Sequence, residues 1–409
     1  MKNYDLIVVG GGLSGVAASV SAAREGLKVL LIEKEGALGG AMSNNLVYPF
    51  MRYWIGGDKD NLVNAGIFKE MVNRRLAYNE PSYEAFKFVF DDMVAEAGVD
   101  VLFHSNVFSV SKNERNVKSV FVTANAQTLE FQADFFIDAT GDGELIALSN
   151  CEFQVGRESD GLCQPMTTCF RVGGVDTEKF KEERPHLQEL YKKLREEGAI
   201  KNPRENILVF FGLGEGVLHF NTTRVIKKDP TNAFELSQAE FLARRQIVEM
   251  LNFLRQNSKA FDNAYVISIA NSIGVRESRK LKGEYILTAE DILSLKNFED
   301  TIALGNYEID IHNPEGTGTH IHYFEDGEYY KIPYRSLLPK EYDNLLVVGR
   351  CLSAEHTAHS AVRIMPICAC LGEAGGIAIS TAKKTGTNTH TVDVLSIRKT
   401  LIEKGARVD

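Results

Sequence analysis

The chain has 409 residues, more than one hydrophobic core usually organises, so two domains are expected, interleaved rather than in series. Hydrophobic residues make up 44% and charged residues 25%, the ordinary make-up of a globular enzyme. The net charge of −9, with no basic stripe interleaved with aromatics, excludes a nucleic-acid partner.

Met1 leads into the first strand within a few residues, with no basic leader and no apolar cleavable segment, and no later run reads as a bilayer span. A cytoplasmic location without membrane attachment is therefore expected. Tyr4 to Lys34 carries the strongest signal, YDLIVVGGGLSGVAASVSAAREGLKVLLIEK. Leu6 to Val9 is a short β-branched run suited to a strand covered on both faces, and Gly10, Gly12 and Gly15 follow at G-x-G-x-x-G spacing. Gly10 permits the tight turn, Gly12 lets the backbone approach a pyrophosphate, and Gly15 lets the helix lie close to the strand, with Ala17, Ala18, Ala22 and Ala23 continuing the close packing. The phosphates would sit on the helix N-terminus, around Leu13 and Ser14. Glu33, closing a second strand over Val29 to Ile32, can accept both hydroxyls of an adenosine ribose and would repel a 2′-phosphate.

Asp60 to Leu76 and Ser82 to Ala97 read as helices, the second opening after Pro81. From Val99 the pattern changes to short strands that form an antiparallel meander and return to a buried strand, Phe135 to Asp138, ending in Ala139-Thr140-Gly141. Between Cys151 and Arg335 strands are expected near Cys169 to Val172 and Ile207 to Phe211, with helices over Asp176 to Glu197 and Ser237 to Gln256. The last portion reads as a strand at LLVVG, a loop at RCLSAEHTAHSAVR, and a small-residue helix from Met365 with Pro366 in its first turn. The six scattered cysteines form no C-x-x-C pair, so neither a zinc nor an iron–sulfur centre is expected.

Four passages carry a family likeness: GGGLSGVAASVSAAREGLKVLLIEK with LGG, FFIDATGDGELIALSNCEFQVGRESDGLCQPMT, GVRESRKLKGEYILTAEDI, and NLLVVGRCLSAEHTAHSAVRIMP. Through them the chain resembles the bacterial FAD-dependent oxidoreductases of the glutathione-reductase-like superfamily related to fumarate-reductase-type flavoproteins. The resemblance implies an α/β fold in which a Rossmann-like FAD-binding domain, a parallel sheet plus antiparallel β-meander, is interleaved with an α+β substrate domain. Residues 1–45, 98–150 and 336–386 would bind FAD, 46–97 and 151–335 would form the substrate or cap domain, and 387–409 a C-terminal tail. It further implies an extended FAD with its adenosine at Gly12, Ser14, Gly15, Glu33 and Lys34, its path lined by Gly39, Gly40, Ala41 and Met42, and further contacts at Val107, Ala139, Thr140, Gly141, Gly349, Arg363 and Met365. Gly349-Arg350 stands where many superfamily members carry Gly-Asp, so the acid contact does not carry over and Arg350 is left for solvent or substrate. No second nucleotide fingerprint follows a clear strand, so electrons could instead pass to or from a protein redox partner.

Hydride chemistry at a flavin needs an anchor for the substrate and a group to move one proton. Arg276 and Arg279 can fork a carboxylate, or pair internally with Glu277 or Glu284. His356, in the loop before the last helix, and His312 can act as bases, and a reductase would instead draw a proton from an acid such as Arg276. His312, His320 and His322 could offer three nitrogens, but no acid or cysteine completes a recognisable spacing and no metal site is expected. Gln164, Pro165 and Met166 would approach the ring, and Tyr48, Trp54 and Tyr334 could stack beside it. The reading is an FAD-dependent oxidoreductase acting on a small polar organic molecule.

Overall fold

Leu6, Ile7, Val8 and Val9 are shielded on both faces because the strand Asn3–Val9 lies in the middle of a sheet. The computed structural model describes residues 3–80 and 82–409. Pro81, read as the residue ahead of the second helix, lies outside them. In the main sheet Asp100–Leu102, Val29–Ile32, Asn3–Val9, Gln127–Asp138 and Leu345–Val347 run parallel. Asn116–Ala124 and Ser105–Asn113 extend it antiparallel from the first half of Gln127–Asp138, which serves both patterns. The end of the expected meander and the buried strand expected over Phe135 to Asp138 are thus one continuous strand.

The helix Leu13–Arg24 packs against Met365–Thr385, and the two backbones nearly touch. A Cβ on Gly372 would come within 2.0 Å of the Ser14 carbonyl oxygen, and one on Gly376 within 2.4 Å of that of Ala18. Against expectation, Met365–Thr385 is long and apolar enough to cross a membrane by composition, with a mean hydropathy of 1.3, but 89% of that window is buried in the fold. Its smallness and apolarity serve helix packing.

A second, antiparallel sheet of order Val209–Phe210, Leu218–Phe220, Phe170–Gly173, Tyr265–Ile269 carries its own core with the helices Thr177–Glu196 and Ala233–Asn257. Asp176 caps the first of these by accepting from the Lys179 N–H at 3.0 Å, and Asn232 caps the second.

Three further expectations are corrected. Asp60 to Leu76 is not one helix: Gly56 and Gly57 both take positive φ, turning Trp54–Ile55 back onto Asp58–Leu62, and the helix begins only at Ile67. The stretch after Gly349 is not a loop, since Ala358, Ala361 and Val362 fall on one buried face of the helix His356–Val362. Residues 387–409 contain the helix Val394–Glu403, capped by Asp393, with Ile397 and Leu401 in the main core.

Candidate active site

The turn after the first strand opens onto a cleft of about 390 Å³. Gly10, at φ +101°, has no room for a side chain, since a Cβ would meet the Ala139 carbonyl oxygen at 2.5 Å. Gly12 pairs with Gly39 in a short parallel bridge, and a Cβ on Gly40 would lie 2.9 Å from the Gly12 Cα. Three glycines therefore keep a bare backbone trough in front of a helix whose first turn has no side-chain cap.

Glu33 lines the trough and is only 5% exposed. Its Oε2 accepts from the Gly11 N–H at 2.5 Å and its Oε1 from the Glu35 N–H at 2.8 Å, leaving one lone pair per oxygen for sugar hydroxyls. Burial pushes this carboxyl up despite the backbone donors. Lys34 closes the same wall and pairs with Glu144 at 2.9 Å. The turn Ala139-Thr140-Gly141 is held from below by fully buried Asp138, which accepts from the Thr140 N–H (3.0 Å) and hydroxyl (2.7 Å) and from the Ile146 N–H (2.9 Å).

Of the residues expected around the cofactor, Gly10, Gly12, Leu13, Ser14, Glu33, Lys34, Gly39, Gly40, Ala41, Val107, Ala139, Thr140, Gly141, Arg363 and Met365 all border this cleft. Three do not. Gly15 lies under the turn, where a Cβ would strike the Gly10 carbonyl oxygen; Met42 points into the main core rather than along the path; and Gly349, at φ +81°, packs against the Ser14 side chain.

The cleft continues into an inner chamber of about 520 Å³, the two sharing Ala41, Val275, Arg350, Arg363 and Met365 as walls. Arg350, left unassigned by the sequence, faces neither solvent nor substrate alone: its Nη2 donates to Asp142 Oδ1 at 2.7 Å at the junction. Burial acts to raise the Asp142 carboxyl, but Arg350 and Lys34 outweigh it and hold it below the ordinary range. The Met365–Thr385 helix begins here, with no side chain capping its N-terminus.

Arg276 borders the chamber and donates through Nη1 to the Pro165 carbonyl (2.7 Å) and the Thr167 hydroxyl (2.5 Å). Burial and then the neighbouring Arg363, Arg204 and Arg224 push its guanidinium down to about 9. Arg279 is turned elsewhere, donating to the Asp142 carbonyl at 3.2 Å and lying over the Phe153 ring, so it is not a chamber residue.

His312 borders the chamber but is occupied at both nitrogens. Nδ1 lies 3.1 Å from Arg224 Nη2, whose N–H can only donate, and Nε2 lies 3.3 Å from Asp310 Oδ2. Burial and then Arg276 push it down to about 3, so it stays neutral and makes a poor base. His356 stands outside both cavities, with Nδ1 against the buried Glu277 carboxylate that also takes the Lys280 ammonium and the Gln164 N–H. Burial opposes that charge, but His356, His359 and Lys280 prevail and the Glu277 carboxyl falls to about 2.

Of the supposed stacking residues only Tyr48 reaches the chamber; Tyr334 is buried with its hydroxyl on the Thr389 carbonyl, and Trp54 packs edge-on with Tyr53. His320 and His322 are exposed, and among the described residues no group of three or more His, Cys, Asp or Glu is placed to hold a metal ion. Sequence reading missed Arg204, Tyr307 and Asp310. The alternation of Asp310 and His312 on one face of the strand Ile309–His312, with Glu308 just before it, was the available signal for the last of these.

A parallel sheet, a bare glycine turn at a helix N-terminus, an acid closing the second strand and an adjoining meander define a dinucleotide-dependent oxidoreductase fold. The chain belongs to the FAD dependent oxidoreductase family, whose profile matches residues 5–401, and it is an FAD-dependent enzyme. A digeranylgeranylglycerophospholipid reductase of Picrophilus torridus is 30% identical over 34% of this chain and 39% of its own length. A second reductase of that name, from Methanospirillum hungatei, is 28% identical over the same shares. The matches thus span about two fifths of the curated relatives' length. Among solved structures, a geranylgeranyl bacteriochlorophyll reductase-like protein from Thermoplasma acidophilum superposes with a TM-score of 0.50 at 16% identity, covering 99% of this chain and 84% of its own. The flavin-dependent brominase Bmp2 gives a TM-score of 0.50 at 11% identity, covering 97% of this chain and 83% of its own. These two share the fold.

The residues present fit FAD. A Cβ on Gly12 would meet nothing nearer than 4.0 Å and so would stand in the space a pyrophosphate needs, and buried Arg363 Nε, at the junction, has no hydrogen-bond partner among the described residues.

Proposed function

We propose that the enzyme moves a hydride between FAD and a small polar organic molecule held in the inner chamber. The observation that carries this reading is the continuity of cleft and chamber at Arg363 and Met365, which joins an adenosine-sized trough to a separate room with its own polar groups. Gly12, Ser14, Glu33, Lys34 and Val107 would hold the adenosine half, and Ala41, Arg363 and Met365 the flavin half. Bound there, FAD supplies hydride acceptance or donation at its N5. The uncapped start of the Met365–Thr385 helix offers partial positive charge where the cavities meet.

Arg276 is the proposed substrate anchor, having no ion-pair partner among the described residues. Tyr307 is the proposed proton carrier in place of His312 and His356: its hydroxyl borders the chamber and donates to Asp310 Oδ2 at 2.8 Å. Burial pushes that phenol up, while Asp310, itself favoured to rise by burial, is held well down by His312 and Arg363. A glutathione-reductase-like lineage, with the cap formed by the second sheet, accords with the parallel sheet and its meander. The relatives named as reductases favour the reducing direction.

Anaerobic reduction of the FAD-loaded enzyme followed by mixing with electron-poor alkenes, oxygen, or a flavodoxin tests this reading. Bleached flavin that regains its absorbance with an alkene supports it. Reoxidation by oxygen alone would sink the reductase direction, and reoxidation by flavodoxin alone would favour a protein redox partner.

A further inference from the structure

The inner chamber carries a charge arrangement that the proposed function does not by itself require. Arg204 is 5% exposed, borders the chamber, and donates through Nε to Asn206 Oδ1 at 2.9 Å. Arg276 borders it with only neutral acceptors on Nη1. Neither has an ion-pair partner among the described residues. Arg363 reaches the same space, 3.9 Å from Asp310, with its buried Nε unpartnered.

The acids do not balance them. Glu205 is engaged by Arg224 at 3.4 Å, just as Asp142 is engaged by Arg350. Asp310 is shared among Tyr307, His312 and Arg363. With those pairs and the Arg363–Asp310 pair set aside, Arg204 and Arg276 face Glu308, leaving one positive charge in excess in the chamber. Crowded guanidinium groups repel one another, and an uncompensated buried charge is unfavourable unless a counter-charge enters. The chamber lining also carries the apolar groups of Tyr48, Met51, Leu208, Phe210 and Ile364.

We infer that the chamber takes a monocarboxylate, its carboxylate seated between Arg204 and Arg276 and its apolar body lying along Tyr48, Met51 and Phe210. A guanidinium fork matches a carboxylate in two parallel hydrogen bonds. A single negative charge cancels the excess, whereas a phosphate monoester would reverse it and a neutral ligand would leave it. This deepens the proposed function, on which it rests for the identification of the chamber as the substrate room.

Calorimetric titration of the FAD-loaded enzyme with hexanoate, hexanol, hexylamine and hexyl phosphate, with the flavin absorbance followed in parallel, tests the inference. Hexanoate is expected to bind saturably and at least tenfold more tightly than hexanol, with hexylamine failing to bind. Arg276→Gln and Arg204→Gln should each weaken hexanoate at least tenfold without altering hexanol binding, Arg276→Lys should restore part of the loss, and the surface change Lys282→Gln should do nothing. Equal binding of hexanol, tighter binding of hexylamine or hexyl phosphate, or unaltered affinity in both arginine variants would overturn it. Should Arg276→Gln fail to fold, the four-probe series and Arg204→Gln still decide. The parent reading fails separately, if no substrate exchanges electrons with the bound flavin; the heat of hexanoate binding reports on the arginines whether or not that happens.

Discussion

His356 Nδ1 lies 2.9 Å from one oxygen of Glu277 and 2.8 Å from the other, and this pair ties the helix His356–Val362 to the segment that carries Arg276. Glu277 is fully buried, so removing His356 leaves an interior carboxylate short of one hydrogen-bond partner, with only Lys280 and the Gln164 N–H still on it. His356→Ala should destabilise the protein by about 3 kcal/mol in urea unfolding. The affinity for FAD, measured by fluorescence quenching, should change little. A large loss of turnover with unaltered unfolding would instead restore His356 as a base.

Stability should fall steeply in mild acid. His219 and His312 are both buried, and burial, followed by Arg171 for the first and Arg276 for the second, pushes each down to about 3. In the unfolded chain both would titrate near 6.5. Between those values the unfolded state binds protons that the native state refuses, so stability is intact above about 6.5 and is lost as pH falls towards 3. The slope approaches about 1.4 kcal/mol per pH unit for each histidine. Glu277 adds to the loss in the same direction below its ordinary range. Urea midpoints of wild type, His219→Gln and His312→Gln between pH 7 and 4 check this; parallel curves would refute it.

Packing of the two long helices tolerates no added carbon. Gly372→Ala or Gly376→Ala places a Cβ against backbone rather than a movable side chain, so the helices must separate. Each change should cost about 1–3 kcal/mol and lower Tm. Because Ser14 belongs to the cofactor turn, Gly372→Ala should also release FAD more readily than Gly376→Ala, which dialysis at equal folded fraction would reveal.

Glu33→Gln should weaken FAD about tenfold, the loss of one charge-assisted hydrogen bond to a sugar hydroxyl, worth about 1.4 kcal/mol. The amide oxygen can still accept from the backbone of Gly11 or Glu35, so the turn itself should persist. Equilibrium FAD binding to the apoprotein, with circular dichroism as the control, measures it.

The cofactor half was legible from sequence because its requirements are local. Gly10 to Glu33 needs a strand, a turn and a helix in immediate succession, and each step leaves its own residue types. The chamber was less legible. Arg204, Arg276, the Tyr307–Asp310 segment and Arg363 come from separate stretches, and no spacing along the chain announces that these four converge. His356 and Arg279 misled for the same reason: a motif supplies a residue type, while only tertiary packing decides which way it turns. The Gly56-Gly57 hairpin was overlooked because Asp58 to Leu62 is polar and exposed, without strand alternation. Met365–Thr385 was placed correctly by Pro366 and its small residues.

The contact of Gly372 with Ser14 joins the first helix of the chain to nearly the last, across most of the sequence. Such distant pairing makes assembly slow, because most of the polypeptide must be organised before the contact forms. During synthesis, the glycine turn would emerge from the ribosome long before the helix that braces it. The nucleotide trough can become rigid only once the Met365–Thr385 segment has been made, so capture of FAD belongs to the closing stage of folding rather than to its beginning.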